Sequence, residues 1–353
     1  MTTLEHLIEA LSLAKKAERK NIKGNPFVGA IVVDENNCII GTGYHKMWGD
    51  KHAEVYAIEE AKSHTPDLTK CSLYVTLEPC SHHGKTPPCV DALLATPVAE
   101  FFVGSHDPNP KVSGRGIDKL RAQGRVVHVG VLADSCLSLN ALWLWAQTHR
   151  RPYVVLKTAH TAQGQMIRGG PIPHITHEKS RDDSQRLRRW AGSLVTSLRT
   201  VQQDRPRMSA RVGHSLASFQ PHLWVLGWTS FQKLGANWDQ SVQLEGRPLT
   251  YWSLQQSPLV SFVDHLYSQG EFWVLVESGP KHSQLWLDSG YVAEHWRYQS
   301  PHQPGDAMGP VLSIPIPLWS SEQDLAWGDK LSISGYVDVN VKNLRKSTLI
   351  VED

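Results

Sequence analysis

The sequence contains no long hydrophobic run. No stretch approaches the roughly 18 apolar residues that a membrane-spanning helix requires. The first residues show no charged segment followed by an apolar stretch, so no secretory signal is indicated. The five cysteines are an odd number at irregular spacing in a chain of 353 residues, which argues against a disulfide framework and for a reducing compartment. We therefore expect a cytoplasmic protein with no membrane partner.

An excess of charge is also missing. The formal net charge is +2 at pH 7, which indicates no strongly basic surface for nucleic acid. No internal repeat or low-complexity segment is present, and no G-x-G-x-x-G follows a predicted strand, so a Rossmann cofactor site is not expected. Apolar residues make up 41% and charged residues 20%, which is typical of a folded protein. The length predicts two domains.

Hydrophobic periodicity predicts alternating helices and strands over the first 131 residues. Helices are predicted at 3–19, 52–63, 89–96 and 117–122, and strands at 29–34, 39–45, 72–77, 100–104 and 125–131. This alternation predicts a mixed sheet with helices on both faces.

The composition changes near Arg150-Arg151-Pro152, because twelve of the thirteen tryptophans lie at or beyond Trp143. We predict a second α/β domain after this point. Its strands are predicted at 153–158, 193–197, 223–226 and 272–276, with a terminal pair within 331–351, and its helices near 177–190, 258–268 and 282–289. The polar stretch 229–257 receives no assignment.

Four residues in the first half indicate a metal site. His52, Cys80 and Cys89 provide one imidazole and two thiolates, a set that holds a catalytic Zn²⁺ and leaves its fourth position open for water. Each lies at a predicted strand–helix junction, where helix N-termini stabilise thiolates. Glu54 lies two residues after the histidine and is suited to move protons without ligating the metal. The order H-x-E…P-C…C is the signature of zinc deaminases.

The other cysteines fit a structural role. Cys38, Cys71 and Cys136 lie in or beside apolar segments and have no partner ligands at metal spacing. A lone cysteine beside a proline is usually a buried apolar residue as well, so the zinc interpretation depends on the combination of ligands and their order.

The residues around the two cysteines also resemble a known family. Residues 76–89 read T-L-E-P-C-S-H-H-G-K-T-P-P-C, with N-P-F-V-G at 25–29, G-Y-H at 43–45, D-P-N-P at 107–110 and G-R-G at 114–116. These motifs resemble the bifunctional deaminase–reductases of riboflavin biosynthesis. Nucleoside and tRNA deaminases usually have two residues between the cysteines, whereas this chain has eight.

This resemblance implies a cytidine-deaminase-like three-layer fold at 1–147 and a dihydrofolate-reductase-like α/β domain at 151–353. It implies deamination of a diaminopyrimidinone that carries a ribosylamino 5′-phosphate, a small-molecule substrate. By motif position, its pocket would be lined by Asn25, His45, His82, Lys85 and Asn109. Members of this family form dimers or tetramers, which implies a homo-oligomer here. Without the resemblance, loop capping or solvated charge would be the favoured explanation for any one of these five residues.

The second half resembles the NADPH-dependent reductase domain of the same family more weakly. Residues 153–157 match its opening strand, 185–188 its first helix, 200–206 with Arg211 its T-V-x-x-D element, and 276–280 its V-E-G-G-P turn. The match implies substrate-phosphate binding by Arg188 and Arg211. It implies cofactor binding by Lys157, Ala159, Thr200, Asp204, Glu277, Gly279 and Pro280.

The second half also departs from the family. The S-x-D-G turn is T-A-Q-G with Gln163 in place of the carboxylate, Arg199 replaces a small residue before Thr200, and Ile172-Pro173-His174 replaces a serine-tryptophan stretch. Two alternatives therefore stay open beside the two-activity enzyme. One is a deaminase whose second half is structural, and the other is a nucleic-acid base deaminase, which the eight-residue spacing and the near-neutral charge disfavour.

Overall fold

The computed structural model describes residues 1–17, 22, 24–83, 86–107, 113–166, 175–204, 206–230, 248–301, 319–326 and 329–335. Several predicted features lie outside these residues: Lys85, Asn109, residues 172–174 and everything beyond 335. The chain divides into two compact units, one built on Met1–Arg150 and the other on Arg151–Val339. None of the described helices is long and apolar enough to cross a membrane.

The first unit is a five-stranded mixed sheet with helices on both faces. Its helices are α1 (Thr3–Ala14), α2 (Ala53–His64), α3 (Cys89–Leu94), α4 (Arg115–Ala122), α5 (Ala133–Leu139) and α6 (Ala141–His149). Its strands are β1 (Gly29–Val33), β2 (Ile39–Tyr44), β3 (Ser72–Val75), β4 (Glu100–Val103) and β5 (Val126–Val129). The sheet order is β2-β1-β3-β4-β5, with β1 antiparallel to both neighbours and β3, β4 and β5 parallel.

Strand β1 contributes residues to the apolar cores on both faces of the sheet. Ile31 and Val33 face the apolar side of α1, while Ala30 and Val32 pack with residues of α2, α3 and α4. All four are buried, because alternate residues of a strand point to opposite faces and both faces are covered. The predicted three-layer arrangement is confirmed.

Glycine lets α2 approach β2 closely. A Cβ on Gly43 would lie 2.0 Å from the carbonyl oxygen of Ala53, and one on Gly41 would lie 2.1 Å from that of Ala57. Only residues without a side chain fit at these two positions. The glycines therefore bring the beginning of α2, with His52 and Glu54, against the sheet.

Two predictions for the first unit need correction. Helix α1 ends at Ala14 rather than at residue 19, because the polar run from Lys15 carries no apolar stripe to bury against the sheet. Helices α5 and α6 were not predicted, although Cys136 and Trp145 are buried on them. The other predicted elements of this unit are confirmed to within three residues at each end.

The second unit is an eight-stranded sheet with helices. Its helices are α7 (Glu178–Trp190), α8 (Leu198–Asp204), α9 (Leu259–Ser268) and α10 (Pro280–Asp288). Its strands are β6 (Tyr153–His160), β7 (Ser193–Ser197), β10 (His222–Gly227), β11 (Leu249–Ser253), β12 (Trp273–Val276), β13 (Val292–Gln299), β14 (Trp319–Asp324) and β15 (Lys330–Gly335), with the small pair β8 (Arg211–Val212) and β9 (Ser215–Leu216) apart. The order is β11-β10-β7-β12-β6-β13-β15-β14, parallel as far as β13 and antiparallel after it.

Six elements of this unit were not predicted from the sequence: strands β8, β9, β11, β13 and β14, and helix α8. Strand β11 lies inside the unassigned stretch 229–257, and α8 was not recognised. Strand β13 is a largely buried strand in which Glu294 and His295 have partners: Trp296 Nε1 donates to Glu294 Oε2 at 2.8 Å, and His295 Nε2 lies 2.7 Å from Thr158 Oγ1. Buried polar residues hide the apolar pattern by which a strand is recognised.

Candidate functional site

The three predicted metal ligands converge. His52 is the N-cap residue of α2, Cys80 follows β3, and Cys89 is the first residue of α3. Their ligand atoms all lie within 4.8 Å of one another. His52 Nδ1 lies 2.9 Å from Cys89 Sγ and 3.5 Å from Cys80 Sγ, so this nitrogen faces both sulfurs.

The donor set fits zinc. The Cys89 backbone N–H donates to Cys80 Sγ at 3.2 Å, as expected where a helix N-terminus stabilises a thiolate. A hydrogen bond from Cys89 lowers the pKa of the Cys80 thiol to about 4, although burial acts in the opposite direction. One imidazole and two sulfurs, clustered at helix N-termini, match the composition of a catalytic zinc site with an open position.

Glu54 lies in the first turn of α2, where its side chain is only 3% exposed. Burial raises the pKa of this carboxyl, while the neighbouring His52 acts in the opposite direction. A buried carboxyl with a raised pKa, next to a metal-ligand cluster, is suited to accept a proton and to return it.

The predicted substrate residues of the first unit fall into three groups. Asn25 Nδ2 lies 2.9 Å from His45 Nε2, and the His45 ring stands edge-on to His52 with ring centroids 5.3 Å apart. His82 is exposed between the two cysteines. Lys85 and Asn109 lie outside the described residues. The structure therefore brings Asn25 and His45 to the metal ligands.

Glu78, which the sequence analysis gave no role, holds the chain around Cys80. Its carboxylate is fully buried and accepts backbone N–H groups from four residues: Asp107 at 3.1 Å, Gly114 and Gly116 at 3.0 Å, and Ile117 at 3.4 Å. A Cβ on Gly116 would lie 2.1 Å from the carbonyl oxygen of Pro79. The negative charge also lies at the beginning of α4, where the helix dipole favours it.

Charged residues of the second unit converge on Glu277. Arg188 donates from Nε to Oε1 at 2.7 Å and from the terminal nitrogen to Oε2 at 2.8 Å, and Lys157 Nζ lies 3.1 Å from Oε2. Burial alone would raise the pKa of Glu277, but the two cations outweigh it and hold the pKa well below its usual range. Arg188, a predicted phosphate-binding residue, is thus paired internally.

Other predicted cofactor residues lie where α8 and α10 begin. Thr200 Oγ1 accepts the Gly279 backbone N–H at 3.2 Å and lies 2.8 Å from Ser197 Oγ. Gly279 is the N-cap of α10 and Pro280 is its first residue. This arrangement joins the ends of β7 and β12, which are parallel neighbours, through side-chain hydroxyl groups.

The remaining predicted residues are more dispersed. Ala159 is half-buried on β6, and Asp204 is exposed at the end of α8. Arg211 Nε donates to Ser209 Oγ at 3.0 Å. Of the departures from the family, Gln163 is exposed, and Arg199 is exposed with its Nε donating to Gln203 on the same helix.

Comparison with known proteins agrees with this site. A protein-family model described as the cytidine and deoxycytidylate deaminase zinc-binding region matches residues 2–105. The riboflavin biosynthesis protein RibD of Chlamydia trachomatis is 34% identical over 315 residues, which cover 82% of this chain and 82% of that protein.

Solved structures extend the similarity over both units. A structure of Acinetobacter baumannii RibD gives a TM-score of 0.73 at 28% identity and covers 95% of this chain and 99% of that chain. A Thermotoga maritima structure, described as a diaminohydroxyphosphoribosylaminopyrimidine deaminase and 5-amino-6-(5-phosphoribosylamino)uracil reductase, gives 0.72 at 28% identity, with 95% and 98% covered.

The fold and the His/Cys/Cys cluster define a zinc-binding deaminase unit followed by a reductase-like α/β unit. The chain belongs to the RibD family of riboflavin biosynthesis proteins.

Proposed function

We propose that the chain deaminates 2,5-diamino-6-(ribosylamino)pyrimidinone 5′-phosphate and then reduces the ribosyl side chain to ribityl with NADPH. Residues 1–147 would carry the first reaction and residues 151–353 the second. The convergence of His52, Cys80 and Cys89 beside the buried Glu54 is the observation that carries this proposal. The membership of the RibD family supports both activities.

The mechanism of deamination follows from the positions of these side chains. His52, Cys80 and Cys89 would hold Zn²⁺, which when bound would supply the Lewis acidity that activates water. Glu54 accepts the proton of that water and delivers protons to the pyrimidinone ring and to the departing amine. The C–N bond breaks, ammonia leaves, and the oxygen of water becomes the new carbonyl.

Asn25 and His45 would orient the pyrimidinone. The Asn25 amide donates to His45 Nε2, so the proton of the neutral ring is carried by Nδ1. Burial lowers the pKa of His45, which favours this neutral form. His82, Lys85 and Asn109 complete the proposed pocket by motif position, with cationic or polar groups that suit a sugar phosphate.

In the second unit, Arg211 and Arg188 are proposed for the substrate phosphate. Lys157, Ala159, Thr200, Asp204, Glu277, Gly279 and Pro280 are proposed for the cofactor. The beginning of α10, just after Gly279 and Pro280, is the positive end of a helix dipole and suits an anionic cofactor. Pro280 has no backbone N–H, and the N–H of Gly279 donates to Thr200 Oγ1. We also propose a homo-oligomer and a cytoplasmic location, which light scattering and cell fractionation would test.

A second candidate is a deaminase whose C-terminal unit is structural. The ion pairs of Glu277 with Arg188 and Lys157 favour this structural role, because the three charged groups already pair with one another. The turn at Gln163, which has no carboxylate, points the same way.

One experiment separates the candidates. Whole protein is incubated with the pyrimidine phosphate, with and without NADPH, and the products are resolved by mass. Without NADPH we expect a product in which oxygen has replaced an NH group, and with NADPH a further gain of two hydrogens. If the deaminated compound is not reduced further in the presence of NADPH, the result would support a structural role for the C-terminal unit. Faster deamination of single-stranded nucleic acid would overturn the proposed substrate.

A further inference from the structure

The two nitrogens of His52 face different partners. Nδ1 lies among the sulfurs, 2.9 Å from Cys89 Sγ and 3.5 Å from Cys80 Sγ. On the other side of the ring, Nε2 lies 3.3 Å from the hydroxyl oxygen of Thr86. The ring is therefore held between the proposed metal position and a threonine side chain.

The count of protons decides which atom donates. Neutral imidazole carries one N–H and one lone pair, so a ring that ligates through Nδ1 must carry its proton on Nε2. A threonine hydroxyl has two lone pairs and can accept that proton. Among the described residues, Thr86 is the hydrogen-bond partner of His52 Nε2. In metal sites, a hydrogen bond to the nitrogen that does not ligate fixes the orientation of the ring and its protonation.

Helix capping does not account for Thr86. Helix α3 begins at Cys89 with Pro88 as its N-cap, and no side chain makes a capping hydrogen bond there. The first N–H groups of this helix have other acceptors, since Cys89 donates to Cys80 Sγ and Val90 to the Cys80 carbonyl oxygen, and the Thr86 hydroxyl is turned towards His52. Thr86 lies in the eight-residue segment 81–88, so the long connection between the cysteines is what carries a hydroxyl to the histidine.

We propose that Thr86 is a positioning residue of the metal site, which accepts a hydrogen bond from His52 Nε2–H and so presents Nδ1 to the metal. This inference rests on the proposed zinc function. It gives the segment between the cysteines a part in metal affinity, in addition to its proposed contacts with substrate.

Zinc affinity tests the proposal without any measurement of turnover. Thr86→Val keeps the shape of the side chain and removes the acceptor, and Thr86→Ser keeps the hydroxyl. Competition with a chromophoric chelator on the full-length protein should show zinc binding weakened about 10- to 100-fold in Thr86→Val. We expect Thr86→Ser to bind nearly as wild type. Thr65→Val is the matched control, since its hydroxyl donates to the carbonyl oxygen of Asp67 on the surface.

Nitrogen-15 NMR of the histidine-labelled holoprotein supplies a second measurement. In the wild type we expect a protected Nε2–H on His52, and in Thr86→Val the loss of that protection. Thermal unfolding of the apoproteins separates this effect from a general loss of stability, and if Thr86→Val unfolds early, Thr86→Ala is measured in its place.

The outcomes are distinct. Wild-type affinity in Thr86→Val, or equal losses in the valine and serine variants, would overturn the role of the hydroxyl. A wild-type protein that binds no zinc would instead overturn the proposed deaminase function.

Discussion

The two units place their charged and ligating groups in opposite ways. In the first unit, His52, Cys80 and Cys89 direct three ligand atoms to a common position, with the buried Glu54 close by. In the second unit, the charges of Arg188 and Lys157 are directed at a residue of the protein itself, the buried Glu277. The three ligand atoms of the first unit would share a cation bound between them, whereas the three charged groups of the second unit already pair with one another.

This difference predicts which of the two sites matters more for activity and which matters more for stability. One imidazole and two sulfurs that converge on one point favour the binding of a cation, because a bound cation stabilises both sulfurs as thiolates. A buried carboxylate with two cations is balanced, and removing one partner leaves an uncompensated buried charge. We therefore expect substitutions in the first site to affect activity most and substitutions at Glu277 to affect folding most.

The largest effect is expected for Cys80→Ser. Serine retains the volume but supplies no thiolate at neutral pH, so the site loses one of its three protein ligands. We expect the purified variant to contain no stoichiometric zinc by elemental analysis and to release no measurable ammonia. Cys38→Ser is the control, because Cys38 is exposed and distant in sequence from the ligands. A Cys80→Ser protein with full zinc content would contradict the ligand assignment.

The second largest effect is expected for Glu54→Gln. The amide keeps the size and most contacts of the side chain but cannot accept a proton, so kcat for deamination should fall by about 10²- to 10⁴-fold. Zinc content should stay at the wild-type level, in contrast to Cys80→Ser. Ammonia release and elemental analysis on the same sample would check both statements. A variant that retains wild-type turnover would remove Glu54 from its proposed role.

Sequence reasoning found the metal ligands because the chemistry of each is visible in its residue type, and the order of strands and helices places them at neighbouring junctions. It missed Glu78 and Thr86. The partners of Glu78 are backbone N–H groups from Asp107 to Ile117, and no side-chain pattern reveals such bonds. The role of Thr86 requires knowing which nitrogen of His52 faces the sulfurs, a question of ring orientation.

The second unit was harder to predict for the same physical reason. Arg188 and Glu277 were each assigned a ligand from their motifs, and their pairing depends on α7 and the end of β12 meeting across 89 residues of chain. Strand β13 was missed because Glu294 and His295 are buried with partners. Polar residues that satisfy one another inside the protein look like surface or site residues in a sequence.

Glu277→Gln tests whether the second site is a folding element. The change leaves Arg188 and Lys157 without their buried counter-charge, and the free energy of unfolding should fall by about 3–5 kcal/mol. Glu322→Gln is the control in the same unit. It breaks an exposed pair with Lys330 and should change the free energy of unfolding far less, because solvent screens the pair. Urea unfolding followed by tryptophan fluorescence measures both.

The pH dependence of this effect has a definite sign. The pKa of Glu277 is lowered in the folded protein, so its contribution to stability is present above its unfolded pKa, about 4.3, and is lost as the pH falls below that value. The difference between wild type and Glu277→Gln should therefore shrink in acid. A difference that is constant from pH 7 to pH 3 would contradict the ion-pair explanation.

The smallest effect is expected at His295, where the second unit buries a histidine that has no role in the proposed chemistry. Burial lowers its pKa to about 3, with His160 and Arg297 acting in the same direction. Between about pH 6.5 and pH 3 the unfolded chain binds a proton that the folded protein does not, so stability is full above this range and falls as the pH falls through it.

His295→Gln keeps a hydrogen-bonding group near the Thr158 hydroxyl and removes the titration. We expect the free energy of unfolding of the variant to depend less steeply on pH than that of wild type, by at most about 1.4 kcal/mol per pH unit. Urea titrations at pH 5 and pH 7 suffice. Equal slopes for His295→Gln and wild type would mean that His295 is accessible to protons in the folded state, and the burial of this histidine would then not explain the pH dependence of stability.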